Sequence, residues 1–289
     1  MLRTRVITAL VMLAILYVAT AWLSPFHFAL FVSAVLLVAV FEWAGLMGLT
    51  QNLQKISYLL VFSTVMILSA WLLGLSPSAV TLNRNTALLL CGTGILFWLF
   101  AFSLLKAYPD NRDRWAGLGK TAVIGFLTLL PTWCALIQLK YLEPRGYLVL
   151  ALIGLVSIVD IGAYFVGRQW GRAKLAPNLS PQKSWAGFWG GMTSCLLLSL
   201  LLLFPLHYMV MPLDGLTVVA LVAMGLVVAV FSVVGDLFES MLKRSQGLKD
   251  SGRSLPGHGG VLDRIDSLTA AAPVFVFFLM ILIDDLTWQ

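Results

Sequence analysis

Nine runs of roughly 18 to 25 residues, each nearly free of charge, follow one another along this 289-residue chain. They cover 6–23, 28–46, 56–74, 87–105, 118–139, 147–167, 187–211, 215–235 and 267–284. A helix of about 20 apolar residues crosses the hydrocarbon layer of a bilayer. Backbone in lipid must satisfy its own polar groups, which admits only helices or closed barrels. The runs are continuously apolar and do not alternate, so helices are expected. With 60% hydrophobic and 11% charged residues, the chain has too little polar surface to fold as a water-soluble globule. The expected fold is an all-α, polytopic integral membrane protein of about nine transmembrane helices.

Lys and Arg concentrate in loops on the cytoplasmic side. Placing the N-terminus in the cytoplasm puts sixteen of the 19 Lys and Arg on that side and leaves Arg84, Lys140 and Arg145 on the other. The reading is therefore an inner (plasma) membrane protein with a cytoplasmic N-terminus, a site facing the cytoplasm and Asp284-Asp285 on the far side. The net charge of +6 suits anionic lipid head groups and nucleotide phosphates, although topogenic charge alone accounts for most of it. No small-residue cleavage site follows Trp22-Leu23-Ser24-Pro25, so the first run reads as a retained helix. Cys91, Cys134 and Cys195 sit inside apolar runs without metal-binding spacing and read as packing residues. No repeat or linker breaks the pattern. A single membrane domain over 1–289 is expected, with N-terminal helices in roughly 1–117 and a motif-bearing half in roughly 118–289.

Carboxylates inside a membrane are expensive and persist where they are paired, hydrated or metal-bound. In the expected topology Glu42, Asp160, Asp236, Asp263 and Asp266 all fall near the cytoplasmic interface, which makes a shared site plausible. Asp236, Glu239, Ser240 and Lys243 have the spacing of one helix face. Asp263 and Asp266 are three apart. Two such groups facing each other supply hard oxygen ligands for Mg²⁺, which takes one or two carboxylates and completes its shell with water and phosphate. The same residues also read as structural ion pairs, Asp236 with Lys243 and Asp263 with Arg264. Glu42 has two readings, a pair with an interfacial cation or support of the site from behind.

The densest polar stretch is 240–266, where Pro256-Gly257-His258-Gly259-Gly260 leads into a helix expected to begin near Val261. Glycine lets backbone N–H groups approach an anion, and a helix N-terminus adds partial positive charge. Gly259 and Gly260 thus read as a phosphate cradle, or as a flexible turn. Lys243, Arg244, Lys249 and Arg253 offer charge-assisted donors to phosphate oxygens. His258 suits phosphate binding and turn capping equally. Neither GxxxxGK[ST] nor a strand followed by GxGxxG is present. A second polar segment, 160–187, joins two runs on the same side. Ser180-Pro181 is expected to start a turn that delivers Lys183 and Ser184 to the next helix N-terminus, with Tyr164 and Trp185 as interfacial aromatics.

The stretch Ser240-x-x-Lys243-Arg244, Lys249-Asp250, His258-Gly259-Gly260, Asp263-Arg264-x-Asp266 resembles the full pattern of the phosphatidate cytidylyltransferase (CDP-diacylglycerol synthase) family. The second segment is similar to that family as well, in Asp160-x-x-Ala163-Tyr164, its repeated glycines, Ser180-Pro181-x-Lys183-Ser184 and Gly190-Gly191. Ala186 departs from it, since many members carry a polar or acidic residue there. The resemblance implies transfer of CMP from CTP to phosphatidate, giving CDP-diacylglycerol and pyrophosphate. It implies Mg²⁺, leaves a second cation open, and suggests a homodimer among membrane lipids with no nucleic-acid partner. On that reading Asp236, Asp263 and Asp266 hold metal, with Asp160 a weaker candidate. Lys243, Arg244, Lys249, His258 and Arg264 bind phosphate or stabilise charge, Gly259 and Gly260 form the cradle, and Ser240 orients a ligand. Lys183, Ser184 and Tyr164 fall to the substrate site. The rivals are a polyprenol or phytol type of lipid kinase and, further off, an ion-coupled transporter, which the clustering of acids at one interface disfavours.

Overall fold

The computed structural model describes residues 2–210 and 212–282. Its helices are α1 (Leu2–Trp22), α2 (Pro25–Leu46), α3 (Asn52–Leu72), α4 (Arg84–Lys106), the short α5 (Arg112–Trp115), α6 (Leu118–Leu142), α7 (Tyr147–Trp170), α8 (Trp185–Pro205), α9 (Gly215–Ser245) and α10 (Leu262–Leu282). An antiparallel hairpin of β1 (Lys174–Ala176) and β2 (Ser180–Ser184) joins α7 to α8. Among the described residues, eight helices are long and apolar enough to cross a membrane, and α1 adds a shorter apolar stretch, Val6–Trp22. The protein is a multi-pass, all-α membrane protein. Asp284-Asp285, expected on the far side, lie outside the described residues.

Helix starts follow local chemistry. Ser24, Asn83, Ser184 and Asp214 each stand at an N-cap and accept from a backbone N–H three residues on, at His27, Thr86, Gly187 and Thr217. Hydrogen bonds from Thr217 hold the Asp214 carboxyl below the usual carboxylate range. Two expectations are met and one needs correction. Helix α9 continues ten residues beyond the apolar run ending at 235, so Asp236 to Lys243 are helical, as their spacing on one helix face implied. Helix α10 begins at Leu262, beside the start expected near Val261 and five residues before the apolar run at 267, so Asp263 and Asp266 lie in its first two turns. The turn placed at Ser180-Pro181 is instead at 177–179, and Ser180–Ser184 is extended in β2. Hydropathy ends a run where charge begins, whereas a helix ends where its backbone does.

Helices α6 and α10 form the enclosed centre, with α2 and α4 from the first half of the chain packed on them. Pro273 removes the N–H that would bond Thr269 carbonyl within α10. Trp98 Nε1 from α4 (2.9 Å) and Thr132 Oγ1 from α6 (3.0 Å) donate to that carbonyl instead. A backbone group orphaned in hydrocarbon is thereby satisfied, and three helices are joined at one point. On α2 and α3, Trp43 Nε1 and Tyr58 OH donate to the Thr121 and Ala122 carbonyls of α6, each at 3.0 Å. At the end of the bundle away from the loop 246–261, the fully buried Lys140 donates to Thr20 carbonyl and lies 5.8 Å from the Phe28 ring centre. That contact pins α1.

The pair α7 and α8 packs through glycine. A Cβ at Gly162 would stand 2.8 Å from Ser194 Cβ and 2.9 Å from Gly190 oxygen, and one at Gly191 would stand 2.8 Å from Val159 oxygen. Small residues that let backbones approach are the common means of helix association in lipid. Gly162→Leu is expected to wedge α7 from α8 and destabilise the protein by about 1–3 kcal/mol. The check is thermal unfolding in detergent, where a clear fall in Tm is expected and an unchanged Tm would show that close approach is not required.

Candidate active site

The loop that follows α9 is shaped by carboxylates of the protein itself. Helix α9 ends with Gly247 at φ +66°, and Leu248 N–H returns to Lys243 carbonyl at 2.9 Å. Further on, Leu255 N–H donates to Gly259 carbonyl and His258 N–H to Leu255 carbonyl, both at 2.9 Å, closing a tight turn with Gly257 and Gly259 at positive φ. Asp263 then takes Gly260 N–H at 2.8 Å, Ser251 N–H at 2.9 Å and Lys243 Nζ at 2.7 Å. Behind it, Glu42 from α2 takes Leu262 N–H at 2.8 Å, Val261 N–H at 3.1 Å and Ser254 Oγ at 2.6 Å. The N-terminus of α10 is thus already occupied by an internal anion, an arrangement its partial positive charge favours.

Gly259 and Gly260, expected to cradle phosphate, serve this internal network. A Cβ on Gly259 would meet Asp263 Oδ2 at 2.6 Å, and one on Gly260 would meet Glu42 Oε2 and Ser251 Oγ at 2.5 Å. Among the described residues Glu42 fits the second of its two readings: it supports the site from behind, and its partners are backbone and hydroxyl donors. Ser251 and Ser254, which the sequence did not single out, complete its shell. A lone acid in an otherwise apolar run was the available signal for Glu42. Nothing in the sequence marks the two serines.

Facing the loop, α9 presents the expected row of polar groups. Lys243 Nζ reaches Asp263 at 2.7 Å and Glu239 at 3.5 Å. Asp236 receives Lys183 Nζ from β2 at 2.5 Å and Ser240 Oγ at 3.4 Å. The pairs offered as the structural reading, Asp236 with Lys243 and Asp263 with Arg264, are therefore replaced by cross-element pairs. Gly235 permits the approach of α10, since a Cβ there would lie 2.5 Å from Asp266 carbonyl. Asp266, whose Oδ1 accepts Ser267 N–H at 2.7 Å, lies within electrostatic reach of Asp236, Glu239 and Lys243. Asp160 on α7 lies within reach of Lys183, Asp236 and Arg264.

A concavity adjoins this row. It has a volume of about 290 Å³ between α7, the hairpin, α8 and α9, with Asp160, Lys183 and Asp236 among the groups in its wall. Tyr164 stands at its edge, exposed, with Arg168 Nη1 donating to its hydroxyl at 3.3 Å. Ser184 is buried and caps α8 by accepting Gly187 N–H at 3.1 Å. Arg244, Lys249, Arg253 and Arg264 are exposed, with Arg244 Nη1 at 3.5 Å from Leu248 carbonyl. His258 is half-buried, and its Nδ1 is enclosed without a hydrogen-bond partner.

The donor set partly fits a divalent cation. Among the described residues no group of three or more His, Cys, Asp or Glu is placed to hold a metal ion. Asp263 is saturated by donors and would reach a metal only by releasing Lys243. Glu239 differs: it is 3% exposed, among the described residues its oxygens have only the ion pair with Lys243 at 3.5 Å and no hydrogen bond, and Asp266 is its neighbour. Two adjoining buried carboxylates call for a proton or a cation between them. Mg²⁺ needs only one or two carboxylates when phosphate and water supply the rest.

The sequence profile of the Cytidylyltransferase family matches residues 3–282. The chain belongs to that family. It is 40% identical over 279 residues to the phosphatidate cytidylyltransferase of Pseudomonas aeruginosa, covering 96% of this chain and 97% of the relative. It is 35% identical over 286 residues to the enzyme of the same name from Haemophilus influenzae, covering 96% and 98%. A third relative of that name, from Bacillus subtilis, is 38% identical over 170 residues, or 55% of this chain. For this cytidylyltransferase-family chain, the geometry assigns Glu42 a framework role that can be measured. Glu42→Ala leaves four donors at the start of α10 and in the loop without their acceptor, of which Leu262 N–H and Ser251 Oγ are buried, at about 1–3 kcal/mol for each buried group. Amide hydrogen exchange across 251–262 is expected to quicken in that variant. Unchanged protection would show that the loop is held by other means.

Proposed function

We propose that the protein transfers CMP from CTP to phosphatidate, forming CDP-diacylglycerol and pyrophosphate at the cytoplasmic face of the inner membrane. The supporting observation is the 2.5 Å bridge from Lys183 to Asp236. It brings the 160–187 segment and the α9–α10 acids into one site, where two anionic substrates can be aligned. The sixteen-to-three distribution of Lys and Arg supports a cytoplasmic site. The homodimer implied by the family resemblance is part of the same proposal.

The reaction asks little covalent work of the protein. A phosphate oxygen of phosphatidate is ionised near neutral pH and attacks the α-phosphorus of CTP. A new P–O bond forms, the bond to the bridging α–β oxygen breaks, and pyrophosphate leaves with the electron pair. No general base is needed, and catalysis rests on alignment and charge neutralisation. Lys243, oriented by Asp263 and Glu239, is held at one place as a donor to phosphate oxygen. Arg244, Lys249 and Arg264 face solvent and receive the outer phosphates, with His258 on the turn beside them. Asp236 and Asp266, with Glu239 adjoining, would hold a divalent cation, and Asp160 stands further out. When bound, that cation supplies Lewis-acid neutralisation of the phosphate oxygens.

CDP-diacylglycerol is expected from CTP, phosphatidate and Mg²⁺ with the protein in detergent, and EDTA is expected to abolish it. Asp266→Asn, compared at matched folded yield, is expected to lose about 10²-fold or more in rate. A wild-type rate in that variant would remove Asp266 from the site. Absence of product from well-folded wild-type protein over a range of metals and lipids would overturn the reading itself.

A further inference from the structure

The two parts of the site differ in what reaches them. At the loop, the backbone donors of Ser251, Gly260, Val261 and Leu262 are already taken by Asp263 and Glu42. An anion arriving there meets the exposed side chains of Arg244, Lys249 and Arg253 at the solvent end of the bundle. Such groups suit a soluble polyanion. The concavity beside the hairpin is different in place and in lining. Spanning helices α7, α8 and α9 contribute to its wall, which joins apolar Leu175, Phe188 and Val233 to polar Ser180, Gln182 and Lys183.

Depth and size both favour a lipid head group there. Asp160 is exposed on α7 ten residues before the helix ends at Trp170, or about 15 Å below its end at 1.5 Å per residue. An exposed carboxylate at that depth calls for a hydrated or liganded opening. Tyr164, 59% exposed, stands in the same wall, a residue type that collects at membrane interfaces. The volume of about 290 Å³ lies below the roughly 300–1,000 Å³ of pockets that enclose a whole drug-sized ligand. It suits a phosphate with its glycerol, the acyl chains remaining in the bilayer.

Among the described residues Lys183 is the one cation in that lining, and in this structure it is bound to Asp236. We propose that this pocket is the subsite for the phosphate of phosphatidate, and that Lys183 passes from Asp236 to that phosphate when the lipid binds. The inference rests on the cytidylyl-transfer reading and divides its two substrates between two places. A phosphate taking Lys183 leaves Asp160 and Asp236 without that neutralising charge. A divalent cation is then bound more tightly, and by linkage the cation strengthens lipid binding by the same factor.

The test measures binding of dioctanoyl phosphatidate, CTP and inorganic phosphate by titration calorimetry in detergent, with and without Mn²⁺. The proteins are wild type, Lys183→Gln and Val233→Phe, the last filling the pocket without altering charge. Wild type is expected to bind phosphatidate about tenfold more tightly with Mn²⁺, the size of a coupling near 1.4 kcal/mol. Lys183→Gln is expected to lose about tenfold in phosphatidate affinity together with the Mn²⁺ effect, while keeping its affinity for CTP. Val233→Phe is expected to weaken phosphatidate and leave CTP unchanged, which carries the test if Lys183→Gln does not fold. Loss of CTP binding with phosphatidate binding intact in either variant would overturn the assignment. So would inorganic phosphate binding as tightly as phosphatidate with the same dependence on Lys183. Binding as expected, in a protein that makes no CDP-diacylglycerol, would overturn cytidylyl transfer and uphold the lipid site. Wild-type turnover with unaltered phosphatidate affinity in both variants would do the reverse.

Discussion

Glu42 carries an arrangement out of proportion to its size. Its carboxylate sits 6% exposed inside α2 and accepts the first free N–H groups of α10 together with Ser254 from the loop. A buried anion is tolerable because those donors and the helix dipole answer it. The buried Leu262 N–H in turn has no water to satisfy it, so each side requires the other. The start of α10 is thereby fixed against α2, and with it the angle at which Asp263 and Asp266 meet α9.

Asp263 extends the same logic one turn further. It ties the loop to α10 through Ser251 and Gly260 and holds Lys243 of α9 in place. The ammonium group is thus oriented before any ligand arrives, and little reorganisation is left for the moment of reaction. The acids that remain, Asp236, Glu239 and Asp266, are poorer in donors and closer to one another. Structural carboxylates and candidate ligating carboxylates are therefore separated by how completely the protein satisfies them. Their order in the sequence does not separate them.

The helical architecture was legible because lipid leaves a backbone few alternatives, and the runs announce themselves by length alone. The gathering of Asp160, Lys183, Asp236, Lys243, Asp263 and Asp266 was also legible, since charged groups in so apolar a chain have few reasons to persist. The division of labour among them was not. Asp263 and Asp266 are three residues apart and chemically identical, and only the path of 246–261 shows that one faces a ring of N–H groups and the other a carboxylate. Gly259 and Gly260 suggested phosphate for a sound reason, the approach of an anion to bare backbone. The anions that approach them are Asp263 and Glu42. The hairpin at 174–184 escaped notice because strands of three and five residues carry too little alternation to read. The joining of Trp98 and Thr132 to Thr269 depends on a proline four residues downstream and on two other helices, contacts that no local pattern encodes.

The central claim is that the site transfers a nucleotidyl group to a lipid phosphate. It is tested most directly by following two labels, with CTP carrying ³²P at the α position in one reaction and at the γ position in another, each with phosphatidate and Mg²⁺. The account predicts α label in the lipid extract as CDP-diacylglycerol and γ label in water as pyrophosphate. Label passing from the γ position into lipid, with none from the α position, would contradict it and show a kinase.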